Sequence, residues 1–378
     1  MMKILHIYKD YDPVLGGIEN HVKTLAEGLA ARGHRVTVLV TNTAPYSDVT
    51  WRGNLTIAKT ARLLHLASTP LSLPMPVYAR CMQGVDVVNL HFPYPPGDLV
   101  SLAVPGRPPL VVSYHSDIVR QQTILRGYTP LLVHTLNRAT RIVAASPQYI
   151  ASSPWLRPRT ARCVVSPYSV DLERFATPDE GAVATLRSRY GDVPLLLFVG
   201  RFRYYKGLHF LLQALTFMQQ RAHLLLVGTG PEEQRLSELA QTLGVAEDVS
   251  FLGEVSDDDL PTCYHAATAF VLPSHLRSEA FGIVQLEAQA AGLPIVCTEL
   301  GTGTTYITQH GQTGFVVPPA SPAALARALD VLLANPDLAR RMGQAGRGRA
   351  EREFSHTRLV ERMEHIYTEA CSPQDPMV

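Results

Sequence analysis

Short runs rich in Val, Leu and Ile alternate with helix-period patterns along nearly the whole chain, and the cycle runs through twice. This alternation constrains the fold more than any other feature, because parallel strands need long crossover connections and helices supply them. In the first half, strands are predicted over residues 3–8, 35–40, 85–90, 110–114, 141–144 and 162–165. In the second half they are predicted over 195–199, 224–227, 249–252, 269–272, 294–297 and 315–317. The helix after the first strand carries Val22, Leu25, Ala26, Leu29 and Ala30 at helical spacing and stops near Gly33. Later helices are announced by Pro231 before Leu236 and Leu239, by Ser256 with Asp259 three residues on, and by Ser321-Pro322 before Leu325, Leu329 and Leu332. The irregular stretch 166–179, with Pro167 and Pro178, reads as a hinge. The prediction is therefore two doubly wound α/β domains, 1–170 and 171–378. The closing helix, about 355–370, is expected to pack back on the first domain, and the tail after it is expected to fray.

At 378 residues the chain exceeds the range in which one core keeps growing. The five cysteines, Cys81, Cys163, Cys263, Cys297 and Cys371, have no metal-ligand spacing, which favours a reducing compartment and argues against structural zinc. The first residues turn polar too soon for a signal peptide, and no stretch approaches 18 apolar residues, so a cytoplasmic location is expected. Lys and Arg number 17 against 8 acids in residues 1–170, and 17 against 25 in 171–378, so halves of +9 and −8 make up the formal +1. A basic first half suits anions such as phospholipid headgroups or a diphosphate-linked acceptor; attraction between the two domains explains it equally well. Nucleic acid is disfavoured, because the basic residues are dispersed and lack interleaved aromatics.

Ligands of open parallel sheets bind beyond the carboxyl ends of the strands, so chemistry is expected in strand-to-helix loops lining a cleft between the domains. Residues 279–287 place Glu279 and Glu287 on either side of an apolar run, with Gly282 where a helix would begin. Unpaired amides at such a helix start favour a phosphate or sugar hydroxyl; solvated acids on an amphipathic helix are the plainer alternative. Gly16 and Gly17 precede the first helix and let backbone amides approach an anion, or simply form a loop. His115 ends a strand beside Asp117, where it could act as a base or bond a sugar hydroxyl; His91 has a similar placement and a weaker claim. Arg201 and Lys206 share one strand-to-helix junction and could close on one diphosphate. Gly228 opens a glycine-rich turn suited to walling a nucleotide base. The acidic run 257–259 has a spacing that some sugar transferases use for metal, but after Ser256 it reads better as a helix start.

Taken in order, Gly16-Gly17, His115, Arg201 with Lys206-Gly207, and Ser278-Glu279-Ala280-Phe281-Gly282 running to Glu287 resemble the retaining glycosyltransferases of family 4, whose GT-B fold has two Rossmann-like domains. The likeness covers essentially the whole chain. It implies a metal-independent enzyme that needs no cofactor and takes a nucleotide sugar, such as GDP-mannose or a UDP-sugar, as substrate, with a glycan or lipid-linked acceptor. The catalytic set it implies is His115, Glu279, Arg201 and Lys206. Glu287 would hold the ribose, and the amides of Phe281, Gly282 and Ile283, with Gly16, Gly17 and Gly228, would line the nucleotide and diphosphate. Fixed cations and amides can stabilise a departing diphosphate without metal. Retention is then explained by same-face attack, with Glu279 a positioning residue or a nucleophile.

One departure stands out: where relatives often carry Asn-Gly-Val-Asp, this chain has Tyr168-Ser169-Val170-Asp171. Residues 115–121 and 311–315 look like those of bacterial mannosyl- or rhamnosyltransferases that build surface polysaccharide. The stretch 118–141 mixes Ile124, Leu125, Leu131, Leu132 and Val133 with Arg120, Arg126, Arg138 and Arg141. It suits either a peripheral contact with an anionic membrane or a buried helix fringed with arginines. Two rivals remain: a nucleotide-sugar epimerase of the same architecture, and a catalytically silent nucleotide-binding protein.

Overall fold

A computed structural model describes residues 1–14, 16–66, 69–118 and 122–372, with backbone alone at 66 and 122–124. Leu15 of the glycine loop, Arg120 and the tail beyond 372 lie outside the described residues. The chain divides into two compact units: Met1–Tyr168 joined by the chain from His356 onward, and Ser169–Ser355.

The first unit holds β1 (Lys3–Ile7), β2 (Arg35–Thr41), β3 (Asp48–Arg52), β4 (Leu55–Thr60), β5 (Leu64–Leu66), β6 (Thr69–Leu71), β7 (Val87–Phe92), β8 (Leu110–Tyr114), β9 (Arg141–Ala144) and β10 (Cys163–Val165). Eight of them form a sheet in the order β10-β9-β8-β7-β1-β2-β4-β3, while β5 and β6 make a separate hairpin. All pairings in the large sheet are parallel except β3 with β4. The chain winds outwards from β1 in both directions, so the switch in winding lies between β1 and β7. Helix Gly17–Ala31 buries Val22, Leu25, Ala26 and Leu29. The last helix, His356–Cys371, packs against it, with Val360 pressed on Gly28.

The second unit holds β11 (Leu195–Val199), β12 (His223–Val227), β13 (Val249–Gly253), β14 (Ala269–Leu272), β15 (Ile295–Thr298) and β16 (Gly314–Val317). They form one parallel sheet ordered β13-β12-β11-β14-β15-β16. Its central strands are buried along their whole length, as expected where helices cover both faces. Here the switch lies between β11 and β14; the loops leaving those two strands carry Arg201, Lys206 and Glu279, and the helix after the second loop carries Glu287.

Candidate active site

In the second unit, backbone geometry draws three loops together. Gly207 adopts φ 70 and caps helix Leu208–Leu215; a Cβ there would collide with the carbonyl oxygen of Pro273 in the loop after β14. Gly228, at φ 120, likewise lies against the carbonyl of Gly200, so the turns after β11 and β12 interlock. The Phe202 amide donates to the Thr229 carbonyl at 2.8 Å and fixes the same junction.

On this frame Lys206 donates from Nζ to Glu279 Oε2 at 2.6 Å, and Ser274 Oγ donates to the same oxygen at 3.0 Å. Both members of the ion pair are buried, at 8% and 7% exposure. Burial alone would lower the Lys206 ammonium, but the charge and hydrogen bond of Glu279 outweigh it and hold it above the usual lysine range. Lys206 is therefore already committed to Glu279, not a free cation. Arg201, in contrast, is exposed and bonds to no carboxylate among the described residues. The pair thus balances its own charge, and Arg201 is an exposed cation on the same loop as Lys206.

Gly282, at φ 82, precedes the short helix Val284–Ala290; a Cβ there would meet Gln285 Nε2 and Leu272 Cδ2, both at 2.7 Å. Phe281 is buried and Ile283 caps the helix. Glu287 sits in the first turn and accepts a 2.6 Å hydrogen bond from the Tyr264 hydroxyl. Burial raises its carboxyl above the ordinary range, and the Tyr264 bond offsets part of that rise. In the acidic run, Ser256 Oγ donates to Asp259 Oδ2 at 2.6 Å and accepts from the Asp259 amide, while Asp257 pairs with Arg174 at 3.2 Å. These carboxylates close a helix start and a surface ion pair.

In the first unit, Gly16 precedes the first helix and Gly17 begins it, but the Glu19 carboxylate folds over Gly16 and lies 3.8 Å from Lys9 Nζ. The helix start thus carries its own anion, and burial raises that carboxyl above the usual range.

His115 belongs to a polar seam in what is otherwise an apolar core. His6, Asn89, His91, Ser113 and His115 lie on β1, β7, β8 and the turn after β8, with His6 in register with Asn89 and His91 with Ser113. His6 Nδ1 lies 3.0 Å from His91 Nε2, and His91 Nδ1 lies 3.0 Å from His115 Nε2; His115 Nδ1 bonds the Tyr168 hydroxyl. Asn89 Nδ2 donates to the Tyr367 hydroxyl at 2.7 Å and accepts Ser113 Oγ on its oxygen. His6 Nε2 is buried without a partner, so a hydrogen there would be an orphaned donor. Hydrogens on Nδ1 avoid this, and each ring then donates to the next and His115 to Tyr168. Both His115 nitrogens are thereby engaged, and a direct sugar contact would require one of these bonds to break.

Ring nitrogens of His21, His91 and His115 all fall within 4.8 Å of one another, a spacing that could suit a metal ion. The rings of His91 and His115 are parallel within 3°, with centroids 5.2 Å apart, which is the 3.0 Å N···N distance extended by the two ring radii. Their facing lone-pair directions therefore point at each other, and the geometry is that of a hydrogen bond, with no shared point for a metal. Burial drives His6 down to about 3 and His21 to about 4, and holds His91 and His115 well below the ordinary value, so all four rings are neutral.

Sequence reasoning missed Ser274, Tyr264, His6 and His21, and gave His91 only the weaker claim. Strand adjacency unites the histidine chain, while Tyr264 reaches Glu287 from one helix to another and Ser274 reaches Glu279 within one loop. Tyr168 drew notice solely as a departure from a familiar pattern.

Residues 15–174 match the family described as Glycosyltransferase Family 4, and 187–349 that described as Glycosyl transferases group 1. The chain is 40% identical over 356 residues to the D-rhamnosyltransferase WbpZ of Pseudomonas aeruginosa, covering 94% of this chain and 92% of that protein. It is 36% identical over 369 residues to the O-antigen chain mannosyltransferase C of Escherichia coli, covering 97% and 98%. Among solved structures, a sucrose-phosphate synthase from Thermosynechococcus elongatus aligns with a TM-score of 0.81 at 26% identity, covering 98% and 99% of the two chains. The chain belongs to glycosyltransferase family 4, with the GT-B fold, and transfers sugar from a nucleotide-sugar donor.

Proposed function

We propose that the protein transfers a mannosyl or D-rhamnosyl group from a GDP-linked donor, with retention and without metal, to a glycan or lipid-linked acceptor at the inner face of the plasma membrane. The observation that carries this reading is the buried Lys206–Glu279 pair, with exposed Arg201 on the same loop as Lys206, on loops flanking the switch between β11 and β14. Arg201 binds the diphosphate and, with Lys206, stabilises it as it leaves. Glu279 fixes Lys206 and faces the donor sugar; Glu287 accepts from the ribose. With Glu279 tied to Lys206 and Ser274, it serves as a positioning residue, and same-face attack of the acceptor hydroxyl accounts for retention. Gly228 and the groove lined by Gly230, Pro231 and Phe251 suit the base. In the first unit, His115 acts through Tyr168, and Gly16 and Gly17 offer backbone amides to an anion. The curated relatives, a rhamnosyl- and a mannosyltransferase of high coverage, support this choice of sugars and favour transfer over epimerisation.

The test is a thermal-shift screen of GDP-, UDP- and ADP-sugars with a chelator present. A donor at 100 times its Kd that binds only the native state adds about 2.7 kcal/mol, enough to raise Tm by several degrees. GDP-sugars are expected to give the largest rise with chelator present. A rise strictly dependent on magnesium or manganese would return the acidic run 257–259 to the site, and a new sugar isomer formed from donor alone would favour the epimerase.

A further inference from the structure

Glu287 has one carboxylate oxygen tied down and the other open. Oε2 accepts the Tyr264 hydroxyl at 2.6 Å, whereas Oε1 has no hydrogen-bond partner among the described residues, and the side chain as a whole is half-buried. The same hydroxyl lies 3.3 Å from the Val284 carbonyl, so its hydrogen goes to the nearer, charged acceptor. Tyr264 thus spans the first turn of helix Val284–Ala290 and pins the carboxylate that rises from it. The ring carrying that hydroxyl is itself held on two sides. Wholly buried on helix Leu260–Ala266, it stacks on Phe270 of β14 with centroids 5.7 Å apart, and it meets Phe175 of helix Leu172–Ala176 near-perpendicularly at 5.4 Å.

The charges bearing on Glu287 come from the neighbouring elements. Arg174, next to Phe175 on the same short helix, bonds both the carbonyl oxygen and the carboxylate of Asp257. Burial works against the Glu287 charge; among the groups facing it the Tyr264 hydroxyl does most to preserve that charge, Arg174 adds to this, and Asp257 opposes it. An ionised carboxylate is a pure acceptor, which suits the two adjacent hydroxyls of a ribose, both of them donors. A hydrogen bond of this kind to a buried charge fixes its direction as well as its ionisation, so the fixed Tyr264 ring decides where the open Oε1 points.

We propose that Tyr264 is a positioning residue of the donor site: acting through Glu287, it aims the open carboxylate oxygen at the ribose and so sets the preference for ribonucleotides over their deoxy analogues. This rests on the reading of Glu287 as the ribose acceptor, and the test tells the two apart. GDP and 2′,3′-dideoxy-GDP, which lacks both ribose hydroxyls, are titrated calorimetrically into the full chain, Tyr264→Phe, Glu287→Gln and the double variant. The unaltered protein should bind GDP at least about tenfold more tightly than the dideoxy analogue. Tyr264→Phe keeps the ring and its packing, so it should weaken GDP about fivefold to tenfold and leave the dideoxy analogue unchanged. In the Glu287→Gln background the tyrosine change should add nothing, because the two residues act as one. Steady-state transfer should show a donor KM raised about as much as the GDP affinity falls, with kcat within about twofold, since the ribose grip is equal before and during bond breaking. Preference for GDP retained in full by Tyr264→Phe would overturn the proposal and leave the ribose reading standing. A parallel loss for both nucleotides, or an equal loss with and without Glu287, would overturn it as well, by making the tyrosine merely structural. Equal binding of the two nucleotides to the unaltered protein would remove the ribose reading of Glu287 and the proposal with it.

Discussion

Glu279→Ala and Lys206→Ala are each expected to reduce sugar transfer by at least 100-fold and to cost about 3–5 kcal/mol of stability, because each leaves one buried charge without its partner. A loss of both quantities could still be purely structural, so the double exchange Lys206→Met with Glu279→Leu separates the roles. Apolar residues of similar volume remove both charges at once, and such replacements are commonly neutral or stabilising. Denaturant unfolding should therefore return towards the wild-type midpoint in the double variant, while transfer stays at the level of the single variants. Recovery of activity along with stability would show that the pair only holds the loops together. The intact pair also keeps Lys206 above the usual lysine range, so no loss of activity from its deprotonation is expected anywhere near neutral pH.

Acid should weaken the first unit as pH falls below the ordinary histidine value. His6, His21, His91 and His115 are held neutral by burial, with folded values depressed below the ordinary 6.5, to about 3 and about 4 for the first two. A group depressed on folding contributes stability that is fully present above 6.5 and is lost as pH falls from there towards the folded value, since the unfolded chain binds the extra proton. Asp98 works in the opposite sense: burial raises it to about 7, so its contribution is lost as pH rises through that value. Four depressed histidines against the raised carboxyls of Asp98 and Glu19 leave a net loss of stability as pH falls below 6.5. Denaturant unfolding of the whole chain followed by hydrogen exchange at the His6 and His91 strands, at about pH 7.5 and about pH 5.5, should show selective loss of protection in those strands. Equal protection at both values would mean that the rings are charged or solvated.

The fully buried strands were the most legible part of the fold. Residues 195–199 and 269–272 are continuous apolar runs, and they form β11 and β14 at those bounds, because strands covered on both faces have no reason to alternate. β3 was not legible: Asp48–Arg52 is mostly exposed, pairs antiparallel at the sheet edge and carries almost no apolar signal. β4 lies beside it with a stronger pattern, but its two neighbours, β2 and β3, run in opposite directions, one parallel to it and one antiparallel. Of the site, the glycines marked the loops, since left-handed backbone at Gly207 and Gly282 leaves a composition trace. The Lys206–Glu279 bond left none. Its partners stand 73 residues apart, and they meet because β11 lies beside β14. The same reason hid the histidine chain: His91 could be picked out as a strand-end residue, but its bonds to His6 and His115 exist only once β1, β7 and β8 are set in order.

The central claim is that the loops leaving β11 and β14 hold a nucleoside diphosphate through fixed positive charge. Calorimetric titration of GDP into the protein and its Arg201→Ala variant, with a chelator present, measures this directly. The account predicts saturable binding to the wild type that weakens about tenfold or more in the variant, from loss of a charge-assisted bond. Equal affinity in the two proteins, or no binding until a divalent metal is added, would contradict it.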